Sequence, residues 1–255
     1  MAACIAVSTL DGPPPASAAL PELGRCSKVA RHTGSFEARC RGPATPHGNF
    51  EWLPGAVRGR FTLSAGVVDL YESQASYPNL TCSGASGSGE YVGGSEELET
   101  ISLTGCQGVV PRDEHCESAG AQPGEIHTSL LRGLYGFIAA PEVGVTLEPA
   151  FGDVFAEFAC EREEGEPVGE EVLVTGSVIA PTRPVSQMAS AFTRRYLTAG
   201  GILRRPDQVP ERLESGARHV LFSARAAIDP LGTEAGLTGT FTVANEERLE
   251  IRATE

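Results

Sequence analysis

Apolar and polar residues alternate with a period of two over short stretches, and Gly, Pro and Ser cut these stretches apart. The pattern predicts strands at Ser35–Cys40, Asn49–Leu53, Arg60–Ser64, Val67–Glu72, Asn79–Ser83 and Leu98–Thr104. It continues through Glu125–Ser129, Leu134–Ala139, Gly144–Leu147, Val154–Cys160 and Glu171–Ile179. Ser190–Tyr196, His219–Ala224, Leu237–Val243 and Arg248–Arg252 complete the set. Only Pro206–Ser215 has a helical spacing. Many short strands with almost no helix predict a mainly-β chain, an antiparallel β-sandwich or barrel with long Gly/Pro/Ser-rich loops.

Three local patterns refine this. Glu171–Ile179 is more continuously apolar than the other runs, as expected of a central strand buried on both faces. Gly84-Ala85-Ser86-Gly87-Ser88-Gly89 reads as a flexible loop. A Gly-x-aromatic triplet recurs at Phe36, Phe50, Phe61, Tyr91 and Phe241 without fixed spacing, so each glycine makes a turn and each aromatic anchors the next strand. Trp52 alternates with Phe50 on one strand face and is expected in the core.

The chain has 255 residues, 41% apolar and 21% charged, with a formal net charge of −13. So acidic a surface repels a phosphate backbone, which argues against nucleic acid as a partner. No apolar run is long enough for a transmembrane helix. The apolar stretch Ala3–Leu10 followed by Ala16-Ser17-Ala18 suggests the remnant of a signal peptide, cleaved before Ala19, or otherwise a disordered arm over residues 1–18. Residues 19–255 then form one β-rich domain, with a possible second lobe from about residue 181. Lys28 is the only lysine beside 19 arginines, a codon signature of a GC-rich genome before it is chemistry. Arg194-Arg195 and Arg204-Arg205 lie in a locally basic segment that reads as a solvated face, or as a patch for an acidic polymer.

Seven cysteines become six when Cys4 leaves with the leader: Cys26, Cys40, Cys82, Cys106, Cys116 and Cys160. None forms a C-x-x-C pair, so no zinc site is expected and an even set reads as three disulfides. Local pairing favours Cys26–Cys40. The rest pair either as Cys82–Cys106 with Cys116–Cys160 or as Cys106–Cys116 with Cys82–Cys160.

Candidate chemistry is sparse. Glu90, Glu125 and Glu157 are strand-borne acids from which a glycosidase pair could be drawn. The Gly/Ser run matches Gly-x-Ser-x-Gly only out of register and lacks a following helix. His32, His47, His115, His127 and His219 have no ligand spacing, so neither a metal nor a cofactor is expected. Asn79-Leu80-Thr81 matches the glycosylation triplet by chance.

Several segments carry a resemblance: Ala18-Ala19-Leu20-Pro21-Glu22-Leu23-Gly24-Arg25-Cys26, Phe50-Glu51-Trp52-Leu53-Pro54-Gly55, Gly89-Glu90-Tyr91, Gly105-Cys106, Cys116-Glu117-Ser118-Ala119-Gly120-Ala121, Gly124-Glu125-Ile126 and Gly176-Ser177-Val178-Ile179-Ala180-Pro181. From Ala18 onward the chain resembles a group of uncharacterised exported proteins of GC-rich soil actinobacteria. The resemblance implies export and disulfides, and no activity or catalytic residue. The expectation is a secreted or cell-envelope-associated bacterial module. It would bind an envelope polymer or an extracellular protein without catalysis, through loops such as Ser83–Ser95 and Arg112–Gln122. The alternatives are a glycan-active hydrolase using a carboxylate pair and an inhibitor of an extracellular enzyme, the latter through a loop closed by Cys106 or Cys116.

Overall fold

The computed structural model describes residues 21–41, 43–56, 58–72, 79–108, 114–161, 170–199, 207–214, 216–225 and 229–253. The leader segment, Cys4, Arg112 and Arg204-Arg205 lie outside the described residues. Every described strand pairs antiparallel with its neighbours, in one connected network. A short N-terminal sheet comes first: β1 (Glu22–Lys28), β2 (Gly34–Phe36), β3 (Pro43–Gly48) and β4 (Phe50–Pro54). Next are β5 (Arg60–Ala65), β6 (Val68–Glu72), β7 (Leu80–Tyr91) and β8 (Glu96–Gly108). Then come β9 (Glu114–Glu117), β10 (Glu125–His127), β11 (Leu131–Ala139), β12 (Glu142–Pro149) and β13 (Val154–Glu161). The chain ends with β14 (Glu170–Gly176), β15 (Val178–Arg183), β16 (Ala189–Ala199), β17 (Asp207–Val209), β18 (Leu221–Arg225) and β19 (Asp229–Arg252).

The pairings close on themselves twice. An upper circuit runs β5–β7–β8–β11–β12–β15–β16–β19 and back to β5. A lower circuit runs β6–β7–β8–β9–β13–β14–β18–β19 and back to β6. Because β7, β8 and β19 belong to both, these are two tiers of one closed up-and-down barrel. Closure removes the sheet edges that would otherwise seek partners. The junction between tiers is where strands break. β14 passes into β15 at Gly176, which has φ +93°. On β8 the inward positions change from Glu97, Glu99 and Ile101 to Cys106, across Gly105 at φ +62°. A side chain at 105 would collide with Ser83 on β7, so only glycine fits this crossing.

The N-terminal sheet joins the upper end. β1 pairs with the last residues of β19, and Leu23 reaches the barrel core. Trp52 is buried as expected; its indole N–H donates to Glu22 Oε2, and the Arg252 guanidinium lies 5.0 Å from its ring.

Several expectations are corrected. Pro206–Ser215 is not helical where described: Asp207–Val209 forms β17 against β16, and Leu213 lies against Gly136 on the barrel's outer side. Its helical spacing instead serves hydrogen bonds of this flap, such as Gln208 to Leu197 and Leu237. Gly84–Gly89 is not a loop but the middle of β7. Ala85, Gly87 and Gly89 face inward while Gly84, Ser86 and Ser88 face outward, a period-two strand pattern written in small residues. Glu171–Ile179 splits at Ser177, and full burial of consecutive residues is confined to Val178, Ile179 and Ala180.

The disulfides are Cys26–Cys40, Cys82–Cys106 and Cys116–Cys160. Register decides between the two open pairings: Cys82 stands opposite Cys106, and Cys116 opposite Cys160, on hydrogen-bonded neighbours. The protein is a disulfide-bonded, nearly all-antiparallel β-module.

Candidate functional site

A barrel offers two places for a ligand, its lumen and its outer wall. The upper lumen is filled. Arg194 on β16 is fully buried between two fully buried acids of β8, Glu97 and Glu99. Its Nη1 donates to Glu99 Oε2 at 2.7 Å, and its Nη2 to Glu97 Oε2 at 2.7 Å. The Tyr135 hydroxyl donates to the same Glu97 oxygen at 2.8 Å. Tyr91 caps the layer by donating to Asn245 Oδ1 at 2.7 Å. Burial pushes the Glu99 carboxyl up to about 7, reinforced by the charge of Glu97 and opposed by Arg194. Burial likewise raises Tyr135 and Tyr196 well above the usual phenol range. These groups are buried and pair chiefly with each other, a polar core layer in which Glu99 Oε1 and Arg194 Nε make no hydrogen bond with a described residue.

The outer wall of the same tier carries an open cleft of about 740 Å³. Its floor spans β19, β5, β7 and β8. Inward glycines explain the dent: a Cβ at Gly87 or Gly89 would meet neighbouring backbone and the side chains of Leu63 or Phe61. Strand glycines of this kind let neighbouring backbone and side chains approach closely. The outward residues are hydroxyls (Thr62, Ser88, Thr100), one cation (Arg60) and two carboxylates (Glu90, Glu246), beside the apolar Leu98 and Leu130. Donors, acceptors and a small apolar platform together suit a hydroxyl-rich ligand. Among the described residues no helix is long and apolar enough to cross a membrane.

Of the three acids singled out from the sequence, Glu90 lines the cleft. Glu125 lies elsewhere, with its Oε1 3.8 Å from His127 Nε2. Glu157 is exposed on β13 beside Glu171, and their shared hydrogen bond lifts its carboxyl above the usual range, with a smaller push from burial. The three acids therefore do not meet. Two serines contact histidines: Ser102 Oγ lies 2.9 Å from His127 Nδ1, and Ser177 Oγ 2.9 Å from His219 Nδ1. Ser102 and His127 are register partners on β8 and β10, so strand pairing accounts for that contact. Burial lowers His219, against a smaller opposing pull from Glu148. Among the described residues no group of three His, Cys, Asp or Glu side chains is placed to hold a metal.

Four further placements bear on the sequence expectations. Arg194 is not a surface residue beside Arg195; it points into the lumen because β16 alternates, while Arg195 faces out. Ser83–Ser95 is the β7–β8 hairpin rather than a binding loop, and only its outward wall residues line the cleft. Asn79 spends its amide on Glu72, accepting from the backbone N–H and donating to Oε2. Cys106 and Cys116 both lie inside strands, fully buried, so neither closes a protruding loop. The buried Glu97–Arg194–Glu99 layer went unnoticed in the sequence. No family model matches the chain, and neither a curated protein nor a solved structure matches it.

Proposed function

We propose that this protein is an exported, non-catalytic binding module of the cell envelope or extracellular space, whose outer-wall cleft takes a hydroxyl-rich ligand such as an envelope glycan. The observation that carries this reading is the cleft itself: Arg194, Glu97 and Glu99 occupy the upper lumen, and on the outer wall over Gly89 an open concavity sets hydroxyls and charges beside an apolar floor. Three disulfides support work in an oxidising compartment. A hydrolase needs two carboxyls that reach both substrate and water. Glu97 and Glu99 are sealed in the core, and Glu157 pairs with Glu171 on the open outer face. The two outward carboxylates that do line the cleft, Glu90 and Glu246, are the pair on which product analysis decides.

The test is a pull-down of purified cell-wall polysaccharide by the immobilised protein, with product analysis of the eluate. Wild type is expected to retain polysaccharide and release no fragments. Ser88→Tyr, which fills the cleft from an exposed strand position, is expected to abolish retention at unchanged thermal stability. Fragment release by wild type, or equal retention by the variant, overturns the proposal.

A further inference from the structure

A second cleft lies far from this wall in sequence, between the N-terminal sheet and the segment entering β16. It encloses about 510 Å³ and is lined by Arg39, Arg41 and Arg248, with Gln187 and Glu250. In a chain of net charge −13, three arginines around one cleft are a local reversal of sign. Among the described residues none of the three is ion-paired. Arg41 uses Nη2 to hold the Ser186 carbonyl at 3.2 Å, and Arg248 uses Nη2 to hold the Met188 carbonyl at 2.8 Å. Each of these bonds uses one Nη and leaves the other Nη and the Nε as donors. Arg39 makes no hydrogen bond with a described residue. It sits at φ +59°, next to Cys40 at φ +53°, in the turn closed by the Cys26–Cys40 disulfide. A left-handed non-glycine backbone is held only where its surroundings over-determine it.

The three guanidinium groups lining the cleft outnumber its one carboxylate, Glu250, and Arg252 adds a fourth beside it, with its Nη2 on the Cys40 carbonyl at 3.2 Å. Burial holds the Glu250 carboxyl above its usual range, while Arg252 and Arg41 pull it down. We propose that this cleft is a binding site for a phosphate group. A phosphate dianion brings two negative charges to this excess of cations and offers several acceptors to guanidinium forks, whereas a carboxylate offers one charge and two oxygens. The site is independent of the outer-wall cleft and stands whether or not that cleft binds glycan.

The experiment is calorimetric titration of the full, oxidised protein with inorganic phosphate, and with acetate, at constant ionic strength. Phosphate is expected to bind saturably at one site with Kd on the order of 1 mM or tighter, and acetate at least about tenfold more weakly. Arg39→Gln is expected to weaken phosphate at least about fivefold without moving Tm, since its side chain has no described partner to lose. Glu250→Gln is expected to tighten phosphate by a few-fold, a response that loss of packing would not give. Non-saturable uptake, equal affinity for acetate, or indifference to both substitutions overturns the assignment.

Discussion

In the upper tier a charge cluster crosses the lumen, and the one disulfide on its strands, Cys82–Cys106 between β7 and β8, lies at their lower ends, where Cys82 faces Val68 of β6. In the lower tier two disulfides join β7 to β8 and β9 to β13, around an interior of Leu70, Leu80, Phe158, Val172 and Leu221. Both tiers close by the same antiparallel circuit, so hydrogen bonding does not distinguish them. The difference lies in which state each device acts on. A disulfide acts mainly on the unfolded chain, by removing conformations it would otherwise visit. The Arg194 cluster acts only in the folded state, where three ionisable groups must neutralise one another away from water. The two ends of one barrel therefore fail under different insults, reductant below and charge imbalance above.

The strongest test of that contrast is Arg194→Met. It leaves Glu97 and Glu99 facing each other in the core, and stability is expected to fall by about 3–5 kcal/mol in urea unfolding, with the reduced and oxidised proteins affected alike. Replacing the three charges together by Leu, Leu and Met is expected to recover most of the loss, because packed apolar groups avoid the desolvation of ions. A triple variant as unstable as Arg194→Met breaks the contrast, since the upper tier would then depend on charge for more than compensation. Next in size is the Cys116→Ala/Cys160→Ala pair. The bridge spans 44 residues in sequence, and its loss is expected to lower stability by about 4 kcal/mol on the chain-entropy account. An unchanged urea midpoint in the double variant shows that β9–β13 pairing alone closes the lower tier.

Much of the fold follows from sequence pattern, and the departures share one cause. Period-two reasoning found Arg60–Ser64 and Val154–Cys160 because their inward residues are large and apolar, such as Phe61, Leu63 and Phe158. It missed the middle of β7 because the inward residues there are Ala85, Gly87 and Gly89, small enough for Phe61 and Leu63 to lie over the glycines. It left the Glu97–Glu99 layer unseen because Glu97-Leu98-Glu99 alternates as if Leu98 pointed inward. The inversion is visible only once Arg194 arrives from a strand 95 residues away. The two clefts were equally hidden, since each is assembled from several strands distant in sequence. Glu90 was picked out as an acid, yet its meaning depends on the glycine dent beside it.

The smallest effect is the most specific to the upper tier. Glu99 is held near 7 in the fold, against an ordinary value of 4.5, chiefly by burial and then by Glu97, with Arg194 opposing. A raised folded value means that the folded protein keeps this proton while the unfolded chain releases it. The associated stability is therefore complete below pH of about 4.5 and drains away as pH rises to about 7, after which no more is lost. A shift of that size corresponds to about 3 kcal/mol at most. Glu99→Gln cannot titrate, yet its amide oxygen can still accept from Arg194 Nη1. The expected outcome is that the variant and wild type differ least at low pH and that the variant gains on wild type between pH of about 5 and 8, by up to about 3 kcal/mol. Because His219 and Glu250 also titrate with shifted values, the measured quantity is the difference between the two proteins at each pH, in which those groups cancel. Parallel stability curves would mean that Arg194 fully compensates both acids. The upper tier would then be as indifferent to pH as the disulfide-joined tier beneath it, and the contrast between the two ends would reduce to their response to reductant.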